Sequence, residues 1–169
     1  MKKPESLRTH MLNAVMELQR DPERMLIFTD KGNIRCALAN GLSFEYVYDL
    51  TFILTEYAGE LDAIMIPLLD WVRSNQNELL ANLDKSKETF KFETVLLDNH
   101  TVDFSLTLPL TERVIVKRQP DGSMDVSFPD EPQYETATKA QPFKLFDNKT
   151  GELLAEWMSA EPENQYFGP

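Results

Sequence analysis

Phe44-Glu-Tyr-Val-Tyr-Asp-Leu-Thr-Phe-Ile-Leu-Thr55 is the stretch on which the fold turns. Its even positions, Phe44, Tyr46, Tyr48, Leu50, Phe52 and Leu54, are all aromatic or aliphatic, while Glu45, Val47, Asp49, Thr51, Ile53 and Thr55 alternate with them. Successive side chains of a strand point to opposite faces, so this alternation specifies a strand with one buried face and one mostly polar face. At ~3.3 Å per residue the run reaches roughly 36 Å, well beyond a strand of about five or six residues. Val47 and Ile53 interrupt the polar face, which suits a position under another element or at a subunit contact. The aromatic positions could line a ligand pocket, but a shared buried face favours core packing.

Working outward, Val102 to Lys117 alternates again, with Val102, Phe104, Leu106, Leu108 and Leu110 on one face. Pro109 lies on the other face and, having no N–H to give a ladder, suggests an edge or a bulge. Glu88 to Leu97 reads as a strand joined to it through Asp98-Asn-His-Thr101, making a long hairpin. Arg24 to Asp30 is a short strand candidate, followed by a turn at Lys31-Gly32-Asn33 and a return over Ile34 to Ala39. Leu7, Met11, Val15 and Leu18 share a helical face, and Asp21-Pro22 ends that helix. Ile64, Leu68, Trp71 and Val72 share another in a helix over Leu61 to Leu80, started or kinked near Pro67. The expected fold class is α+β: a mixed, mainly antiparallel sheet with long hairpins, packed by two helices.

Composition divides the chain near residue 118. Residues 119–169 hold three lysines against ten acids and six of the ten prolines. This part reads as an acidic extension (119–169) to a 1–118 domain, with small hairpins turning at Pro120-Asp-Gly-Ser123 and at Asp147 to Gly151. It would be ordered in pieces or on a partner.

Charge and motifs narrow the function. A net charge of −11 repels phosphate backbones and anionic lipid, and the longest basic cluster is Lys117-Arg118, so neither nucleic acid nor membrane is an expected partner. Lone Cys36 can make no intrachain disulfide and is expected to be a buried structural thiol, in keeping with a reducing compartment. His10 and His100 are expected to be solvated, and with Cys36 they offer no metal-ligand spacing. The six scattered glycines build no phosphate-binding loop, and no Gly-x-Ser-x-Gly elbow occurs. Glu45, Asp49 and Asp103, with Glu93 or Asp98 nearby, could gather a metal, but acids alternating with Thr and Ser describe a wet sheet face better. The triplets Asn99-His-Thr101 and Asn148-Lys-Thr150 match a glycosylation acceptor by chance in a chain without a secretory signal. No catalytic residue, cofactor or metal is expected.

Five collinear blocks carry a resemblance: Pro4-Glu-Ser-Leu-Arg8, Leu42-Ser-Phe-Glu-Tyr46, Leu61-Asp-Ala-Ile-Met-Ile-Pro-Leu-Leu-Asp-Trp71, Glu78-Leu-Leu-Ala-Asn82 and Leu110-Thr-Glu-Arg-Val-Ile-Val116. Over residues 1–118 the chain resembles the phage tail completion protein R family of Peduovirus-type contractile-tailed phages, with an acidic C-terminal stretch beyond that shorter pattern. The resemblance implies a structural virion protein similar to tail terminators, which form rings, commonly hexameric, on the head-proximal end of tube and sheath. Implied partners are further copies of the chain, tail tube and sheath proteins, and head–tail connector proteins. Val47, Ile53 and Pro109 are then candidates for subunit or tube contacts. The alternatives are another neck component, a small carboxylate–metal enzyme and an aromatic-pocket binding module.

Overall fold

The computed structural model describes residues 1–36, 41–81, 89–98, 100–132 and 140–159. Among these, the alternating stretch forms β2 (Phe44–Tyr57), the centre of an antiparallel sheet. It pairs on one side with β1 (Met25–Cys36) and on the other with β4 (Val102–Arg118). β3 (Lys91–Leu96) pairs with the first part of β4 and β5 (Met124–Ser127) with its last part, giving the order β1-β2-β4-β3 with β5 beside the far end of β4.

The even positions of β2 and β4 lie on one face: Leu50 is opposite Leu108 and Phe52 opposite Leu106, all of them buried. Helix α1 (Lys3–Ala14) contributes Leu7 and Met11 to the core that forms on this face, and α3 (Asp62–Asn75) contributes Ile64, Leu68, Trp71 and Val72. The two helices are tied by Trp71 Nε1, which donates to Ser6 Oγ at 3.0 Å. At about 25 cal/mol per Å² of apolar surface, this single cluster is the main source of stability for the fold.

Several expectations are corrected. Lys31-Gly32-Asn33 is no turn: β1 runs straight through it, with a register shift between Thr29 and Lys31. Glycine suits a close approach there: a Cβ on Gly32 would lie 3.0 Å from Tyr48 Cβ and 3.1 Å from the Val47 carbonyl oxygen, so the neighbouring strand would have to give. The hairpin is therefore β1–β2, and Ala37 to Ala39 lie outside the described residues. The first helix does not run unbroken to Asp21. Val15 is extended, bridges to Ala155, and separates α1 from α2 (Met16–Arg20). The helix over 61–80 ends at Asn75 and is followed by the short α4 (Glu78–Ala81). Pro67 sits inside α3 without ending it, since burial of that helix's apolar face outweighs one missing N–H.

The C-terminal hairpin is β6 (Pro142–Phe146) and β7 (Leu153–Met158). Ala155 is buried at the break after α1, and Trp157 Nε1 donates to Asp70 Oδ2 of α3 at 2.8 Å. The turn at Asp147 to Gly151 is closed by that aspartate, which accepts from the N–H groups of Lys149 and Thr150, while Gly151 has a left-handed φ of 73°.

Candidate interaction surface

The helices pack on one face of the sheet and the C-terminal hairpin packs against the helices, so the opposite face carries no described element. On it stand Val47 and Ile53, both half-buried by their strand neighbours, and Pro109, opposite Asp49. The register adds two residues that were not expected there. Leu26 lies opposite Ile53 and Phe28 opposite Thr51, and both are exposed, at 48% and 38%. Sequence could not place them, because the pairing of β1 with β2 decides which face they share.

Of the carboxylates considered as metal ligands, Glu45, Asp49, Glu93 and Asp103 are on this same face but on separate rows, and Asp98 is in a turn. Glu45 pairs with Arg35 at 3.5 Å; Asp49 faces Pro109; Asp103 accepts from the Glu56 N–H at 2.9 Å. Glu93 lies opposite Ser105, and Asp98 caps the β3–β4 turn by accepting from the His100 and Thr101 N–H groups. Those turn bonds hold the Asp98 carboxyl below its usual range. Among the described residues no group of three or more His, Cys, Asp or Glu is placed to hold a metal ion. Asn99 of the glycosylation-like triplet lies outside the described residues.

Cys36 is exposed at the end of β1 and not a buried thiol, as is every residue of that strand from Asp30 onward. His10 is likewise not simply solvated: a ring nitrogen lies 3.0 Å from the Pro67 carbonyl oxygen, at the α1–α3 contact. Burial there lowers its pKa, against smaller raising effects of the Pro67 carbonyl and Asp70. His100 is exposed. Of the aromatic row, Tyr48 and Phe52 are in the core, while Phe44 and Tyr46 meet edge to face at 4.9 Å.

The sheet's edge is managed by polar side chains that sequence gave no reason to single out. Between the ends of β3 and β5 the edge of β4 is unpaired over residues 108–114. There the Thr111 N–H donates to Gln76 Oε1 at 3.1 Å, and its carbonyl oxygen accepts from Lys3 Nζ at 2.7 Å. Lys3 Nζ also donates to Gln76 Oε1 and Glu131 Oε1, each at 2.7 Å. Pro109, two residues earlier on the same side, presents no donor to be satisfied. Beside this site, buried Glu112 accepts from the N–H groups of Lys2 and Lys3 and from the Tyr48 hydroxyl. Burial, then the nearby Glu112 carboxylate, pushes the Tyr48 phenol well above its ordinary range. These groups fasten the start of α1 to the sheet; they form no pocket with spare valence.

The edges of β1 and β3 have no strand beside them among the described residues. β3 is exposed along its whole length, with Phe92 at 60% and Leu96 at 78%. A surface of this kind, with apolar edges, an apolar patch on the free face and no reactive constellation, suits association with other proteins.

Known proteins point the same way. A family model described as P2 phage tail completion protein R (GpR) matches residues 1–132. Tail completion protein R of Escherichia phage P2 is 36% identical over 158 residues, covering 93% of this chain and 99% of the phage P2 protein. That coverage is too long to fit within residues 1–132, so the likeness continues into the C-terminal segment, which corrects the expectation of a stretch beyond a shorter pattern. No solved structure matches. No described helix is long and apolar enough to cross a membrane.

Proposed function

Because this chain belongs to the P2 phage tail completion protein R family, a structural family of tail assembly and not an enzymatic one, we propose that it finishes the tail as a terminator. In this reading, copies form a ring, taken as hexameric, on the head-proximal end of tube and sheath. The ring stops tube polymerisation and offers a surface to head–tail connector proteins. The observation that carries the proposal is the family match across most of the chain.

The geometry supports it in physical terms. A ring needs heterologous interfaces, in which one patch meets a different patch on the next copy and the rotation closes. Among the described residues the sheet has two different free edges, and its helix-free face bears Val47, Ile53 and Pro109. We propose these three as contact residues toward a neighbouring copy or the tube. The acidic segment after residue 118 is proposed to meet a sheath or neck protein.

Electron microscopy of lysates from a phage lacking this gene tests the function. Overlong tubes, or finished tails not joined to filled heads, are the expected result. Normal infectious particles would overturn it. Tails of correct length that fail only in head attachment would favour the second reading, a head–tail joining component.

A further inference from the structure

We infer that copies of this chain join edge to edge, β3 of one copy pairing antiparallel with β1 of the next, so that the sheet continues across the contact. This inference rests on the self-assembling reading above and names the surfaces that carry it.

The argument starts from where backbone groups point. In an antiparallel ladder, N–H and C=O groups aim alternately at the two sides of a strand. On β4, Thr111 aims away from β2, toward Gln76 and Lys3, so Asp103, Ser105 and Thr107 aim at β3. Their partners are Val95, Glu93 and Lys91. The N–H and C=O groups of Phe92, Thr94 and Leu96 therefore face outward. By the same alternation Met25, Ile27 and Thr29 face outward from β1. Among the described residues, Met25 alone of these three finds partners: its N–H donates to the Pro22 carbonyl oxygen and its carbonyl oxygen accepts from Arg8 Nη1.

The two edges also lie at one level of the sheet. Ile27 is opposite Phe52, Phe52 opposite Leu106, and Leu106 opposite Phe92, so a single row runs from one edge to the other. Four strands lie along that row, each antiparallel to its neighbour. An even number of alternating strands leaves β1 and β3 running in opposite directions. A sideways copy of the block thus presents β1 to β3 in the antiparallel sense without inversion, which is the relation a closed ring requires.

Among the described residues, neither edge carries the usual protection against pairing at this level, the β1 bulge lying beyond it between Thr29 and Lys31. β3 has no proline, only one lysine, and three exposed apolar side chains in Phe92, Val95 and Leu96. β1 exposes Leu26 and Phe28 at the same level. Natural sheets blunt exposed edges of this sort unless a partner covers them. Charge selects which edge meets which. β1 carries Lys31 and Arg35 against Asp30, whereas residues 91–98 carry Glu93 and Asp98 against Lys91. Joining β1 to β3 brings opposite net charges together, and a two-fold contact of either edge with itself brings like charges together.

Proline tests this, since it removes an outward N–H and leaves the intrachain ladder intact. Thr94→Pro on β3 and Thr29→Pro on β1 are made in the full chain and tried for rescue of a phage lacking the gene. Circular dichroism and melting curves check folding, and native mass spectrometry reads assembly. Both variants are expected to fold, to lose assembly, and to rescue no better than an empty vector. Mixing the two should give dimers and nothing larger, because each retains one good edge.

Rescue and assembly equal to wild type by either variant would overturn the inference. So would self-dimers of one variant alone, which mean a two-fold edge contact, or failure of the β3 variant only, which means a strand from another tail protein. Should a proline variant not fold, Leu96→Lys and Leu26→Lys block the same edges at exposed positions, with the same expectations. Failure of the wild-type gene itself to restore tails would sink the tail-completion reading instead, and the mixing result would still decide the edge pairing.

Discussion

Glu56 has a φ of 50° where β2 bulges against β4, the one described residue other than glycine in the left-handed region. Its N–H donates to Asp103 and its carbonyl oxygen accepts from Arg24 Nη1, so hydrogen bonds on both sides hold it there. Glycine has no Cβ to strain in that conformation, so Glu56→Gly should raise stability by up to about 1 kcal/mol. Glu56→Ile should cost about 1–2 kcal/mol, since a branched side chain suits it least. Thermal melts of the two variants check this. Gln76 makes a harder demand, because its amide serves Lys3 Nζ, the Thr111 N–H and hydroxyl, and Glu78. Gln76→Leu leaves buried donors without acceptors and should cost about 1–3 kcal/mol, read by urea denaturation.

His10 sets a dependence on pH. Its folded pKa lies below 6.5, so just below that value the unfolded chain takes a proton that the folded chain does not. Stability should therefore fall as pH drops below 6.5, and His10→Gln should flatten the melting temperature just below that pH. Asp98, Asp121 and Asp147, held below their usual 3.8 by turn hydrogen bonds, act only at lower pH.

At the scale of elements, β2 and β4 were legible because period two persists long enough to exclude a helix. The α+β class and the long hairpins follow from that and are present in the structure. Local signals misled where tertiary contacts decide. Gly32 reads as a turn residue, yet it is a close approach inside a continuous strand. Val15 reads as one more helical apolar residue, yet its backbone is taken by Ala155 of a strand far along the chain. No pattern within residues 3–20 could announce that bridge. The candidate surface was half legible for the same reason: Val47 and Ile53 break an alternation, while Leu26 and Phe28 join them only through strand register. The bridge makes its own prediction. Ala155→Asp buries a charge at the α1–α2 break and should loosen the β6–β7 hairpin, measured as faster amide exchange in Leu153–Met158 with the β2–β4 ladder still protected.

Among the described residues, the molecule joins a well-filled core on one side of the sheet to an opposite face and two sheet edges that no element covers. With a net charge of −11, separate copies repel one another at long range, so association has to come from short-range strand pairing and apolar contact. The measurement that bears most directly on this account is a cryo-EM reconstruction of the head-proximal tail end in intact particles. The account predicts a closed ring of this chain between tube and connector, with β3 of each copy beside β1 of the next. A finished neck with no density for the chain, or copies placed elsewhere on the tail, would contradict it.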